Sequence, residues 1–189
     1  MFGYENERGL KFDPAQAAKL LDEAGYKDRS KFPRVTLAFN TNENHQRIAE
    51  NVQAQFKKNL GIEVQIANEE WKVYLNNLRN NPPNIYRSGW LGDYPDPSTF
   101  ADLMTSFSEN NYTGWGSKRY DELTAEGSRT LEQEKRRRIY SELQKILTED
   151  EAPVMPVYSS VVHALLSERV KDFPLTPLQR FQFRGVTFK

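Results

Sequence analysis

Apolar residues recur at helical spacing early in the chain. In "DPAQAAKLLDEAGY", Ala17, Leu20, Leu21 and Ala24 share one face. Asp13 suits the N-cap, Pro14 the first helical position and Gly25 a left-handed stop. The period then shortens. "VTLAFN" (35–40) is β-branched and apolar between Pro33 and a polar turn, which predicts a strand. "ENHQRIAENVQAQFKKNLG" returns to helical spacing, with Ile48, Val52 and Phe56 in one stripe and Gly61 as terminator. "IEVQIAN" predicts a second strand that turns Ile62, Val64 and Ile66 inward. Strand, helix and strand joined by short links predict a parallel, right-handed βαβ unit.

"EWKVYLNNLRNN" predicts a third helix, stopped by Pro82 and Pro83, and "IYRSGW" (85–90) a third strand. "STFADLM" and "SKRYDELTAEGSRT" predict short helices. "LEQEKRRRIYSELQKILTED" predicts a longer one that faces Ile139, Leu143, Ile146 and Leu147 inward. "APVMPVYSS" has strand character broken by two prolines, which predicts an edge or a bulge. From Val161 the tail is irregular, and "FQFRGVTF" alternates like a final strand with no partner of its own in the chain. There is no internal repeat and no low-complexity linker. The pattern predicts one α/β domain, an open sheet flanked by helices.

The 189 residues are 38% hydrophobic, 12% aromatic and 28% charged, a folded rather than a disordered composition. Lysine plus arginine (26) balances aspartate plus glutamate (26), so no global attraction to nucleic acid or anionic membrane is expected. Without cysteine there is no thiol catalysis, disulfide framework or thiolate zinc site. No run approaches the ~18 apolar residues of a membrane span, and "MFGYENERGLKF" lacks the order of a secretory signal.

Candidate chemistry centres on "GWLGDYPDP", Gly89 to Pro97, which leaves the carboxyl end of the third predicted strand, where open α/β sheets place their ligands. Asp96 lies between two prolines and reads as a turn residue. Asp93, three residues after Trp90, reads either as part of an ordinary turn or as the partner of a ligand ammonium, sheltered by the indole. Taken as a carboxylate pair, the two aspartates would suit a hydrolase. His45 and His163 are the only histidines, and neither has a visible ligand set for a metal. His45 opens a helix, where anions are favoured, and is a candidate to meet a ligand carboxylate. The basic run in "EKRRRIY" reads as a solvated face beside Glu132 and Glu134. No nucleophile elbow and no phosphate-binding glycine loop is present, and no cofactor is implied.

"AKLLDEAGY", "TNENHQRIAENVQAQFKKNLGIEV", "EWKVYL", "RSGWLGDYPDPSTFADLM", "YDEL" and "EAPVMPVY" resemble, in this order, the carboxyl-terminal half of bacterial oligopeptide-binding proteins. These are substrate-binding components of ABC importers, the peptide/nickel solute-binding family. The resemblance implies one lobe of a two-lobed periplasmic-binding-protein-like fold of cluster C. It implies a peptide-binding lobe over 1–160 and a segment, 161–189, that returns to a first lobe lying outside this chain. It also implies a periplasmic parent protein whose signal is absent here, an extended oligopeptide as ligand, and ABC permease subunits as partners. Dipeptide, murein peptide or a nickel complex are the alternatives within the family, and a free-ammonium carboxylate favours peptides over metal chelates. By resemblance, Asp93 pairs with the peptide ammonium, while the backbone of Gly89, Trp90 and Leu91 runs beside the peptide. Trp71 lines a side-chain pocket, and Arg87 and His45 meet the carboxylate end. The sequence around Leu91 and the double proline departs from the family pattern.

Overall fold

Two crossovers in opposite directions build the parallel sheet. The computed structural model describes Glu5, 8–176, Leu178 and 181–189. Strand β1 (Val35–Asn40) is followed by α2 (Glu43–Leu60) and β2 (Val64–Glu69), then by α3 (Trp71–Asn80) and β3 (Ile85–Tyr86); α1 (Pro14–Glu23) precedes them all. The strand order is β2-β1-β3, all parallel. Register runs from Val35↔Val64 to Asn40↔Glu69 on one side of β1 and pairs Leu37 with Ile85 on the other. The chain thus reverses its direction of winding between β1 and β3.

Side-chain alternation along β1 divides two apolar layers. Leu37 and Phe39 pack with Ala49, Ile62 and Val64, joined by Val52 and Phe56 of α2 and Leu21 of α1. Ala38 points the other way, onto Tyr74 and Leu78 of α3. The helix ends are closed locally. Asp13 accepts the Gln16 N–H at 2.9 Å, Asn42 accepts from Asn44 and His45, and Gly61 ends α2 at a left-handed φ of 69°. Arg29 donates to the Leu60 and Ala18 carbonyls, at 3.2 and 3.1 Å, and to Asp22. One guanidinium therefore ties the end of α2 to the body of α1.

Leu10–Gly89 with Tyr112–Gly114 forms one compact unit, and the other described residues form a second. The second is mainly helical: α4 (Ser98–Ala101) with a 3₁₀ turn after it, α5 (Lys118–Arg129) and α6 (Gln133–Lys145), which runs on into a π-helical turn, Ile146–Asp150. Its core is Ala101, Tyr120, Ile139, Tyr140, Leu143 and Ile146, with Leu147 packed against it. Gly127 lets α5 and α6 approach closely, since a Cβ there would lie 3.2 Å from Ile139 Cγ2.

Five expectations need correction. The third strand is two residues long rather than six. After Arg87 N–H reaches the Ala38 carbonyl at 2.9 Å, the next acceptor along β1, the Asn40 carbonyl, is taken by His45 Nδ1 at 3.1 Å. No strand forms at 152–160. Pro153 and Pro156 lack donors, and Met155, Val157 and Tyr158 are exposed. The final strand has a partner: β5 (Thr187–Phe188) pairs antiparallel with β4 (Val170–Lys171). Leu20 is exposed, so Leu21 alone carries the apolar contact of α1 with that core. The basic run is not uniformly solvated either. Arg136 turns inward, donating to Asp96 at 2.7 Å and to the Gly127 carbonyl at 3.0 Å.

Candidate functional site

In the sheet unit, three of the expected residues sit at the carboxyl ends of successive strands. His45 is in the first turn of α2, just past β1; Trp71 opens α3, just past β2; Arg87 immediately follows β3. His45 and Arg87 therefore flank the point where the winding reverses, the usual ligand position in open α/β sheets. The Asn40 carbonyl orients His45 by accepting from Nδ1, which leaves Nε2 directed elsewhere. Trp71 is half exposed and its ring stacks with Tyr74 at 6.2 Å between centroids.

Arg87 is held by its backbone. Its N–H enters the β1 ladder and its carbonyl accepts from the Tyr74 hydroxyl. Burial pushes the Tyr74 phenol well above its ordinary range, although the nearby Arg87 charge works against it. The hydroxyl therefore keeps its proton and remains a donor. The Arg87 guanidinium lies against the bare backbone of Gly89, where a Cβ would come within 3.0 Å of Nη2. These four residues, His45, Trp71, Arg87 and Gly89, belong to one compact unit.

Trp90, Leu91 and Asp93 belong to the other unit. The Asp93 N–H donates to the buried Thr99 hydroxyl at 3.0 Å, which fixes the backbone under that carboxylate. Gly92 is buried, and a Cβ there would press on Thr99 and Phe100 at 3.3 Å. Asp93 is exposed, as are Trp90 and Leu91. The expected sheltering of the acid from water by the indole is thus not observed; the loop turns both side chains to solvent.

Asp96 acts as the turn residue expected of it. Its Oδ1 accepts from the Ser98 N–H and hydroxyl at 3.0 and 2.8 Å, and from Arg136. The hydrogen bond from Arg136 is the main cause that holds its carboxyl down at about 2. A group so acidic cannot serve as a proton donor near neutrality, so Asp96 is not the general acid of a carboxylate pair. Asp96 binds fewer protons in the folded than in the unfolded chain. Its contribution to stability is complete above the ordinary carboxylate range and is lost as pH falls through about 2. The difference in urea midpoint between the wild type and Asp96→Asn is therefore expected to be largest near neutrality and to vanish toward that pH.

Sequence reasoning missed Tyr74 as the support of Arg87, although its helical spacing from Trp71 hinted at a shared face. It also missed the pairing of Asp96 with Arg136, for which a separation of forty residues gives no local signal. Among the described residues no group of three His, Asp or Glu side chains is arranged to hold a metal, and no helix is long and apolar enough to cross a membrane.

Residues 2–112 match the family model for bacterial extracellular solute-binding proteins, family 5 (Middle). The chain belongs to that family. Among family 5 relatives, it is 37% identical over 161 residues to the periplasmic murein peptide-binding protein MppA of Escherichia coli, covering 85% of this chain and 30% of MppA. It is 32% identical over 188 residues to the oligopeptide-binding protein OppA of Bacillus subtilis, covering 99% of this chain and 34% of OppA. The crystal structure of Haemophilus influenzae OppA in complex with RPPGFSPFR superposes with a TM-score of 0.80 at 30% identity, over 93% of this chain and 34% of that one. The family 5 chain thus spans about a third of the length of these relatives.

Proposed function

We propose that this chain is the ligand-binding C-terminal part of a periplasmic oligopeptide-binding protein, which captures extended peptides and hands them to an ABC importer. The observation that carries the reading is the placement of Arg87 and His45 at the reversal of winding, each oriented through its neighbours and each suited to a carboxylate. Asp93 takes the peptide ammonium, and the backbone of Gly89 to Leu91 pairs with the extended peptide, giving affinity independent of sequence. Trp71 offers an exposed aromatic face for a side chain. No residue of this set is asked to do chemistry; the protein binds, releases and leaves its ligand unchanged. The relatives named above support the same reading, as peptide-binding proteins of this family.

The exposed apolar side chains between Val161 and Leu166 fit this proposal. In it, the segment from Val161 onward packs against the first lobe of the parent protein, which covers them. The test is calorimetry on the intact protein with free tripeptides and their C-terminal amides, followed by mass spectrometry of the recovered peptide. Stoichiometric binding, weakened about tenfold or more by amidation, with the peptide recovered whole, is the expected result. Absence of binding, or cleaved peptide, overturns the proposal.

A further inference from the structure

At the carboxyl edge of the sheet two oxygen acceptors are shut off from solvent without a donor. Asn40 Oδ1 and Glu69 Oε2 have no hydrogen-bond partner among the described residues. They are direct cross-strand partners in the β1–β2 register. Ala38 and Ala67, two positions earlier on each strand, face α3 and pack with Tyr74; by alternation Asn40 and Glu69 face the same way. A solvent-excluded acceptor lacking a donor is unfavourable, more so when it belongs to a carboxylate.

Three donors on the surrounding elements are already engaged. The Tyr74 hydroxyl donates to the Arg87 carbonyl, and His45 Nδ1 meets the Asn40 carbonyl. The single Thr41 hydroxyl proton is shared between Asn68 Oδ1 and the Glu69 carbonyl. Both residues are only half-buried as a whole, so the two oxygens lie just beneath the rim. Parallel strands stand ~4.8 Å apart. One ammonium placed ~2.8 Å from each oxygen spans such a gap.

We propose that Asn40 and Glu69 form a subsite for a cationic side chain of the ligand, an ammonium or a guanidinium. This rests on the peptide-binding reading above and adds to it a preference. Glu69 supplies the charge and Asn40 a second acceptor, so a basic residue gains where a neutral one of equal size does not. The uncharged remainder of the peptide is held elsewhere and is indifferent to Glu69.

The test is calorimetry on the intact protein with trialanine, with tripeptides carrying lysine at each position in turn, and with their norleucine counterparts. The expected result is that, at one position, lysine binds at least about tenfold more tightly than norleucine. Glu69→Gln is expected to abolish that ratio and leave trialanine affinity unchanged. Equal binding of lysine and norleucine peptides by the wild type at all three positions overturns the subsite without calling on any variant. A ratio that survives in Glu69→Gln overturns it too. If the wild type binds no tripeptide at all, the peptide-binding reading fails first and the subsite falls with it.

Discussion

Replacing Asp93 by Asn is expected to weaken peptide binding by about tenfold, with the fold unchanged. A charge-assisted hydrogen bond contributes ~1.5–3 kcal/mol when its surroundings are dry, and tenfold corresponds to about 1.4 kcal/mol. The lower end applies, because Asp93 is exposed and water weakens its attraction for a cation. The change is conservative in shape. The backbone N–H at 93 keeps its bond to the Thr99 hydroxyl whichever side chain is present. Titration of wild-type and variant intact protein with one tripeptide and its N-acetyl derivative isolates the effect. The wild type should lose affinity on acetylation and the variant should not. An unchanged dissociation constant in the variant removes Asp93 from the site.

The largest effect on stability is expected at Tyr120. Its side chain is completely buried, its ring meets Trp115 edge-on at 5.3 Å, and its hydroxyl donates to the Ala101 carbonyl at 2.9 Å. Removing a buried aromatic ring costs ~3–5 kcal/mol through lost transfer energy and the remaining cavity. Tyr120→Phe keeps the ring and leaves a buried carbonyl without its donor, at ~1–2 kcal/mol. Urea denaturation of both variants should therefore rank wild type, Phe, then Ala, with a wide second step. Near-equal midpoints for the wild type and Tyr120→Ala overturn the assignment of Tyr120 to the helical core. Because Ala101 closes α4, directly after the turn built by Asp96, the loop carrying Asp93 gains mobility in the same variant.

Much of the sheet unit was legible because its signals are local. Asp13, Pro14 and Gly61 mark helix ends by their own chemistry, and the alternation of Ile62, Val64 and Ile66 marks a strand within seven residues. "IYRSGW" misled because its composition suits a strand, whereas its extent is decided by an acceptor on β1 and a histidine some forty residues earlier. "APVMPVY" misled in the same direction, since apolar alternation does not show whether a neighbouring strand exists. Of the site, the residue types were readable and their supports were not. Nothing near Arg87 in the sequence announces Tyr74, and nothing near Asp96 announces Arg136. The acceptor pair of Asn40 and Glu69 becomes visible only once the register aligns two strand ends.

The glycine at 89 has a meaning beyond the room it leaves. A guanidinium normally needs an acid to hold it still, and an acid would quench the charge that a carboxylate ligand requires. Here the guanidinium of Arg87 lies beside naked main chain, and among the described residues no acid forms a salt bridge with it. A methyl group at that position would stand 3.0 Å from Nη2, so the guanidinium would have to give way by a few tenths of an ångström.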